Sequence, residues 1–326
     1  MTALGADPRW QRLRQGRFVV LGRVGMDLYA DPPGTRIEDA TRYFAAIGGS
    51  AGNIAVALAR QGTPAALVSR VSDDAVGRYC LAELSRCGVD TTHVLRAGGE
   101  ARNSLAVVET RPVDAQTVLY RNGAADFMLG EADVEAVEFG GAAALVVTGT
   151  ALAREPSREA TLAAMRLAKA GGAVVVLDVD YRAYSWASRE EAARVCLGAA
   201  TSADAVIGND DEFGLLAGSH DRGQGLARDL AEYGALFTVY KRGHLGSVTH
   251  LRGRQFESGI FAVDALKPMG AGDGFMGGLL AGLAQGHDLE TSVRRGAATA
   301  AIIVAGIGCA PASPDTAELD AFIRRF

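Results

Sequence analysis

Cysteine is scarce in this chain of 326 residues, and its spacing builds nothing. The four are Cys80, Cys87, Cys196 and Cys309, with no Cys-x-x-Cys among them. Cys80 and Cys87 fall on a predicted helix, about 10 Å apart along its axis, too far for a disulfide. Free thiols in a reducing cytoplasm are the expectation. The five histidines, at 93, 220, 244, 250 and 287, show no metal-ligand spacing, which argues against zinc. There is no long run of lysine and arginine, and the net charge is −5, so no nucleic-acid partner is expected. Long apolar runs are missing too. The N-terminal residues lack a signal core, and "AATAAIIVAGIG", residues 297–308, is far short of a bilayer span. No membrane partner is expected, and the cytoplasm is the expected location.

Glycine is what the chain has in excess, 41 residues, which implies many tight turns or close backbone approaches. The length suits one large α/β domain over residues 1–326, with a core that needs no staples. "AAALVVTG", "AVVVLDVD", "DAVIGN" and "LFTVYKRG" read as β-branched strands, and "SREATLAAMRLAKAGG", "REEAARVCLGAATS" and "GQGLARDLAEYG" as the helices between them. That alternation implies a parallel sheet covered on both faces. "RFVVLGRVGMDLY" reads as a buried strand running into a loop. "HVLRAG", "NSLAVVET" and "TVLYRNG" have no helix between them and predict a small β excursion. A β lid is expected from segments about 28–47 and 92–124. In open α/β sheets ligands sit beyond the carboxyl ends of the strands, so site residues are expected in the βα loops.

Two glycine-rich helix starts stand out. In "KPMGAGDGFMGGLLAGL", residues 267–283, Gly270, Ala271 and Gly272 precede Asp273 at the start of a long apolar helix. First-turn amides lack intrahelical partners and the helix dipole makes that end positive, so the stretch suits an anion. Asp273 would repel a bound phosphate unless it takes a proton from something, as phosphoryl transfer to a hydroxyl requires. Taken alone, it serves equally well as a helix cap. "GGSAGNIAVALARQG", residues 48–62, is the second start, and its Asn53 suits sugar hydroxyls or plain helix packing.

Together, Gly-Gly-x-x-x-Asn early and Gly-Ala-Gly-Asp late resemble the two signatures of the ribokinase-like (PfkB-type) carbohydrate kinases, over about residues 17–325. The resemblance implies a ribokinase-like three-layer α/β/α sandwich with a mostly parallel central sheet and a small β lid. It implies transfer of the ATP γ-phosphate to a sugar hydroxyl, with ATP and Mg2+ as cofactors. Asp273 is then the base, and the amides around Gly270, Ala271 and Gly272 form the anion hole. Asp27, Gly48, Gly49 and Asn53 match the sugar-binding positions. "GNDDEF" resembles the family's Asn-x-x-Glu element, with Asn209 and Glu212 organising magnesium and phosphate, largely through water; a plain helix N-cap explains Asn209 as well. Lys241, Gly243 and Gly246 in "KRGHLG" fall beside the nucleotide phosphates.

"GRVGMDLYADPPGT", "LYRNGAAD", "TGTALAREPSREATLAAM" and "LDVDYRAYSW" resemble the sugar-acid branch of the family. The implied substrate is 5-dehydro-2-deoxygluconate of inositol breakdown, with 2-keto-3-deoxygluconate or another sugar or nucleoside as the alternative. Arg121 and Arg182 are the implied carboxylate holders, and Arg23 a weaker third, because arginine forks pair with carboxylates. One departure matters. Lys267 stands where the common signature has an Asp that helps hold a monovalent cation in several relatives. An ammonium there is expected to occupy or abolish that cation site. The lid strands of this family often pair between subunits, so a homodimer is expected to be possible. A nucleotide-binding dehydrogenase is disfavoured, since "LGRVGMDL" lacks the full Gly-x-Gly-x-x-Gly.

Overall fold

In the computed structural model, which describes residues 7–326, the strands are β1 (Arg17–Leu21), β2 (Gly25–Asp31), β3 (Arg42–Gly48), β4 (Ala65–Ser72), β5 (Val94–Ala97), β6 (Ser104–Val108), β7 (Thr117–Tyr120), β8 (Ala142–Thr148), β9 (Val174–Asp178), β10 (Ala205–Asn209), β11 (Phe237–Lys241), β12 (Ser247–Leu251) and β13 (Arg254–Ser258). The helices are α1 (Pro8–Arg12), α2 (Ser50–Arg60), α3 (Ala75–Arg86), α4 (Glu131–Glu135), α5 (Ser157–Ala170), α6 (Arg189–Ser202), α7 (Asp210–Ala217), α8 (Gly223–Tyr233), α9 (Ala271–Ala284), α10 (Leu289–Ala305) and α11 (Thr316–Ile323).

Nine strands form one sheet in the order β13-β12-β11-β10-β9-β8-β1-β4-β5. From β11 to β5 the pairing is parallel, and β12 and β13 close the other edge antiparallel. The central strands β8 and β9 are buried along their whole length, as a sheet covered on both faces requires. Along β1 the side chains alternate between two cores. Phe18 and Val20 join Ile54 and Leu58 of α2 and Met276 and Leu280 of α9. Val19 and Leu21 join Ala160 and Ala164 of α5 and Phe213 of α7. This is the expected three-layer sandwich.

A second sheet has the order β3-β2-β6-β7, with β2 and β6 parallel and the outer pairs antiparallel. It supplies the expected lid, with two differences. The stretch at 93–98 is not part of it: β5 runs parallel to β4, with Ser69 opposite Val94, and ends the large sheet. Its buried ends, Val94 and Ala97, face the core beside β4, whereas its short length resembled a lid strand in sequence. Residues 17–29 also form two strands rather than one. Asp27 therefore sits inside lid strand β2, opposite Ala46 and Ala106, not at the end of β1.

Helix α9 lies against both α2 and α10, and glycine sets the spacing. A Cβ on Gly277 of α9 would stand 2.4 Å from the Ala57 Cβ of α2. Gly277→Ala should therefore lower the urea midpoint, because overpacking of about 1–3 kcal/mol exceeds the helix-propensity gain of about 1 kcal/mol. Gly225→Ala in α8, where an added Cβ meets nothing within 4 Å, should leave the midpoint unchanged or raise it.

Candidate active site

Asp273 lies in the first turn of α9, buried to 9% exposure, and its Oδ2 accepts a hydrogen bond from Asn53 Nδ2 at 2.7 Å. The two glycine-rich helix starts, 220 residues apart in sequence, therefore meet at one side-chain contact. Burial raises the Asp273 pKa to about 6, and the neighbouring Asp180 adds to it; the Asn53 hydrogen bond, Arg182 and Arg23 oppose. Gly270 caps α9 with φ 84°, and a Cβ there would come within 2.4 Å of the Cys309 Sγ. Both facts demand glycine. The amides of Ala271, Gly272 and Asp273 then open the helix with no acceptor inside it.

Asp27 is also buried, and burial raises its pKa against the opposing charge of Arg23. Tyr29 Oη donates to its Oδ2 at 3.2 Å, while Oδ1 has no partner. A Cβ on Gly48 would stand 1.8 Å from that free oxygen, so Gly48 leaves room for the carboxylate. Gly49 is the N-cap of α2, with φ 91°. Asn53 keeps its Oδ1 unpartnered inside the same region. Buried polar atoms are normally paired, so these two free acceptors point to a ligand's hydroxyl groups.

Arg121 is 7% exposed and already engaged. It forms an ion pair with Asp126, donates to Thr150 O at 3.1 Å and Ser185 Oγ at 3.2 Å, and stacks 4.0 Å from the Phe127 ring centroid. Its Nε has no partner. Arg182 pairs with Asp180 at 3.0 Å and is half exposed.

Asn209 and Glu212 form a reciprocal capping box at the start of α7. Asn209 Oδ1 accepts from Glu212 N at 2.8 Å, and Glu212 Oε2 accepts from Asn209 N at 2.7 Å. The other Glu212 oxygen accepts from Tyr181 N at 3.1 Å. The capping reading of Asn209 is therefore observed. Among the described residues no group of three His, Cys, Asp or Glu side chains forms a metal cage. A hard cation such as magnesium would therefore need further oxygen ligands from outside the protein here. Lys241 ends β11, and its Nζ lies 3.5 Å from where a Cβ on Gly272 would stand. Gly243 and Gly246 bound the tight turn that follows, and a Cβ on Gly246 would strike the Ser258 carbonyl at 2.0 Å.

Two acids escaped the sequence reading. Asp178 ends β9, and burial pushes its pKa well above the carboxylate range, with Lys241 opposing and Asp180, Glu212 and Asp273 adding to it. Asp180 follows with φ 35°, unusual for a non-glycine residue. It is held there by the hydroxyls of Ser50 and Thr150 and by Arg182. Both lie in "LDVDYR", where only the arginine was singled out. Two acids closing a β-branched strand were the available signal.

Lys267 is 1% exposed, and its ammonium donates to Met269 O and Ile303 O, each at 3.0 Å. Burial lowers its pKa, and Cys309, Asp273 and Asp27 oppose that shift. The four cysteines are free, and burial pushes Cys80 and Cys196 up to about 12 and Cys309 up to about 11. Thiols so raised are poor nucleophiles. Two surface cavities, of about 560 and 320 Å3, contain none of the site residues. Among the described residues no helix is long and apolar enough to cross a membrane.

Comparison with known proteins places the chain among carbohydrate kinases. The chain is 39% identical over 310 residues to the 5-dehydro-2-deoxygluconokinase of Photobacterium profundum, covering 94% of each chain. Among solved structures, a PfkB protein from Polaromonas sp. JS666 superposes with a TM-score of 0.82 at 29% identity, covering 94% of this chain and 99% of that one. A fructokinase double mutant from Vibrio cholerae O395, solved with fructose, ADP and potassium ion, also reaches 0.82, at 27% identity and with 95% and 99% covered. The profile of the pfkB family carbohydrate kinases matches residues 15–316, and the chain belongs to that family of sugar kinases.

Proposed function

We propose that this kinase transfers the terminal phosphoryl group of ATP to a hydroxyl of 5-dehydro-2-deoxygluconate, a step of myo-inositol breakdown, with Asp273 as base. The observation that carries the reading is the buried Asp273 carboxylate beside unsatisfied helix amides, held by Asn53 from the other glycine-rich start. The relatives' names support the sugar acid.

Asp27 Oδ1 and Asn53 Oδ1 accept the sugar hydroxyls. Asp273 takes the proton of the attacking hydroxyl. A pKa of about 6 leaves it ionised at neutral pH, yet more basic than an ordinary carboxylate. The amides from Gly270 to Asp273 meet charge developing on the transferred group, and the positive end of α9 adds to them. Lys241 and the Gly243–Gly246 turn flank the nucleotide phosphates. Magnesium, when bound, neutralises phosphate oxygens, with Glu212 reaching it through water. Arg121 and Arg182, each paired with an aspartate, line the acid end of the sugar. Lid sheet edges β3 and β7 expose Tyr43, Phe44, Val118 and Tyr120, which suits pairing of two subunits through the lid. The Lys267 ammonium, bonded to two carbonyls, replaces a bound monovalent cation.

Asp273→Asn should lower kcat by about 10²–10⁴-fold in a coupled ADP assay, with ATP affinity nearly unchanged. Turnover like that of the parent would reject the base. The base must be unprotonated, and its pKa is raised, so kcat/KM should fall tenfold per pH unit below about pH 6 and level off above it. Exchanging potassium for choline at constant ionic strength should change kcat by less than about twofold, since screening by salt is matched. A strict potassium requirement would remove Lys267 from that role.

A further inference from the structure

Arg23 acts on Asp27, Asp273 and Arg121, and Arg182 acts on Asp273; the three arginines differ in what they already hold. Arg121 is committed to Asp126, with Thr150 and Ser185 taking further N–H groups. Arg182 is paired with Asp180. Arg23 donates from its side chain to the Ser104 hydroxyl at 3.0 Å, and among the described residues no carboxylate lies within ion-pairing distance of it.

Its root is fixed nonetheless. The Arg23 carbonyl accepts from Gly52 N at 3.2 Å, and a Cβ on Gly49 would stand 2.5 Å from that carbonyl. The backbone of Arg23 is thus wedged against the first turn of α2, the helix that carries Asn53. The side chain is half-buried, and its charge reaches Asp27, Asp273 and Arg121. It forms no ion pair with Asp27, whose Oδ1 has no partner either. An unneutralised guanidinium and an unsatisfied carboxylate oxygen, close but separate, leave both free for a ligand carrying an acid and a hydroxyl.

We infer that Arg23 is the residue that selects an acid substrate: its fork receives the sugar's carboxylate, Ser104 sets the fork's direction, and Arg121 and Arg182, already neutralised by Asp126 and Asp180, form the surrounding wall. This deepens the sugar-acid reading and rests on it. A carboxylate prefers the guanidinium whose N–H groups no acid already takes, whereas at Arg121 it would compete with Asp126 in direct contact.

The test compares kcat/KM for 5-dehydro-2-deoxygluconate with that for its neutral C1 amide. The parent enzyme should prefer the acid by about 10–100-fold, the size of a charge-assisted hydrogen-bonded contact. Arg23→Gln should raise KM for the acid by a similar factor, change kcat by less than about threefold and erase the preference, with Tm nearly unchanged. Arg23→Lys keeps the charge without the fork, and should lose about tenfold of the preference at parental kcat. If Arg23→Gln does not fold, that lysine variant carries the test. Arg121→Ala should instead lower Tm by several degrees, because it strands a buried Asp126, and weaken acid and amide alike. Preference retained in Arg23→Gln or Arg23→Lys, or lost only in Arg121→Ala at unchanged Tm, overturns the assignment. If the parent turns over neither sugar acid nor amide but does turn over ribose or fructose, the substrate reading falls first and this inference with it.

Discussion

The hydrogen bond between Asn53 and Asp273 is the contact on which the site depends. It exists because α2 and α9 approach closely, and they do so because Gly277 presents no side chain to Ala57. Each helix opens on a glycine with positive φ, Gly49 and Gly270. Two positive helix ends thus converge on one buried carboxylate. Burial makes that carboxylate basic, and the helix ends keep an anion near it tolerable. Moving either helix by an ångström would break the Asn53–Asp273 contact.

The surrounding charges are arranged to hold the site open at a cost. Asp178, Asp180, Glu212 and Asp273 act on one another, and Lys241, Arg182 and Arg23 offset them. Asp180 sits in a left-handed conformation held by two hydroxyls and an arginine. Such strain and mutual repulsion oppose folding. The cores on both faces of the nine-stranded sheet offset it, and α2 and α9 belong to one of them, so the site is braced by the largest packed body in the molecule.

Much of this was legible in the residues. Strand–helix alternation is a local signal, and the parallel sheet follows it. The Gly-Ala-Gly-Asp helix start is legible because its chemistry lies in consecutive residues. Partnerships across the chain are not. Arg121 reads as a carboxylate receptor, and only the fold shows that Asp126 pairs with it. Glu212 reads as a magnesium residue, and only the fold shows its second oxygen accepting from the Tyr181 amide. Asp178 and Asp180 passed unnoticed in a strand end whose arginine drew the attention. The β5 segment misled because a four-residue strand carries too little periodicity to name its sheet.

The sequence by itself determined the element types, the three layers and the two glycine-rich helix starts, since each is set by side chains within one turn or one strand of each other. It also determined that position 267 carries a cation. Only the tertiary structure decided that this ammonium lies between the Met269 and Ile303 carbonyls, that Asp27 belongs to the lid, and that Asn53 touches Asp273. Apart from the Met269 contact, those facts join residues tens to hundreds of positions apart. Burial and pairing there depend on how whole helices and sheets pack, which no local pattern encodes.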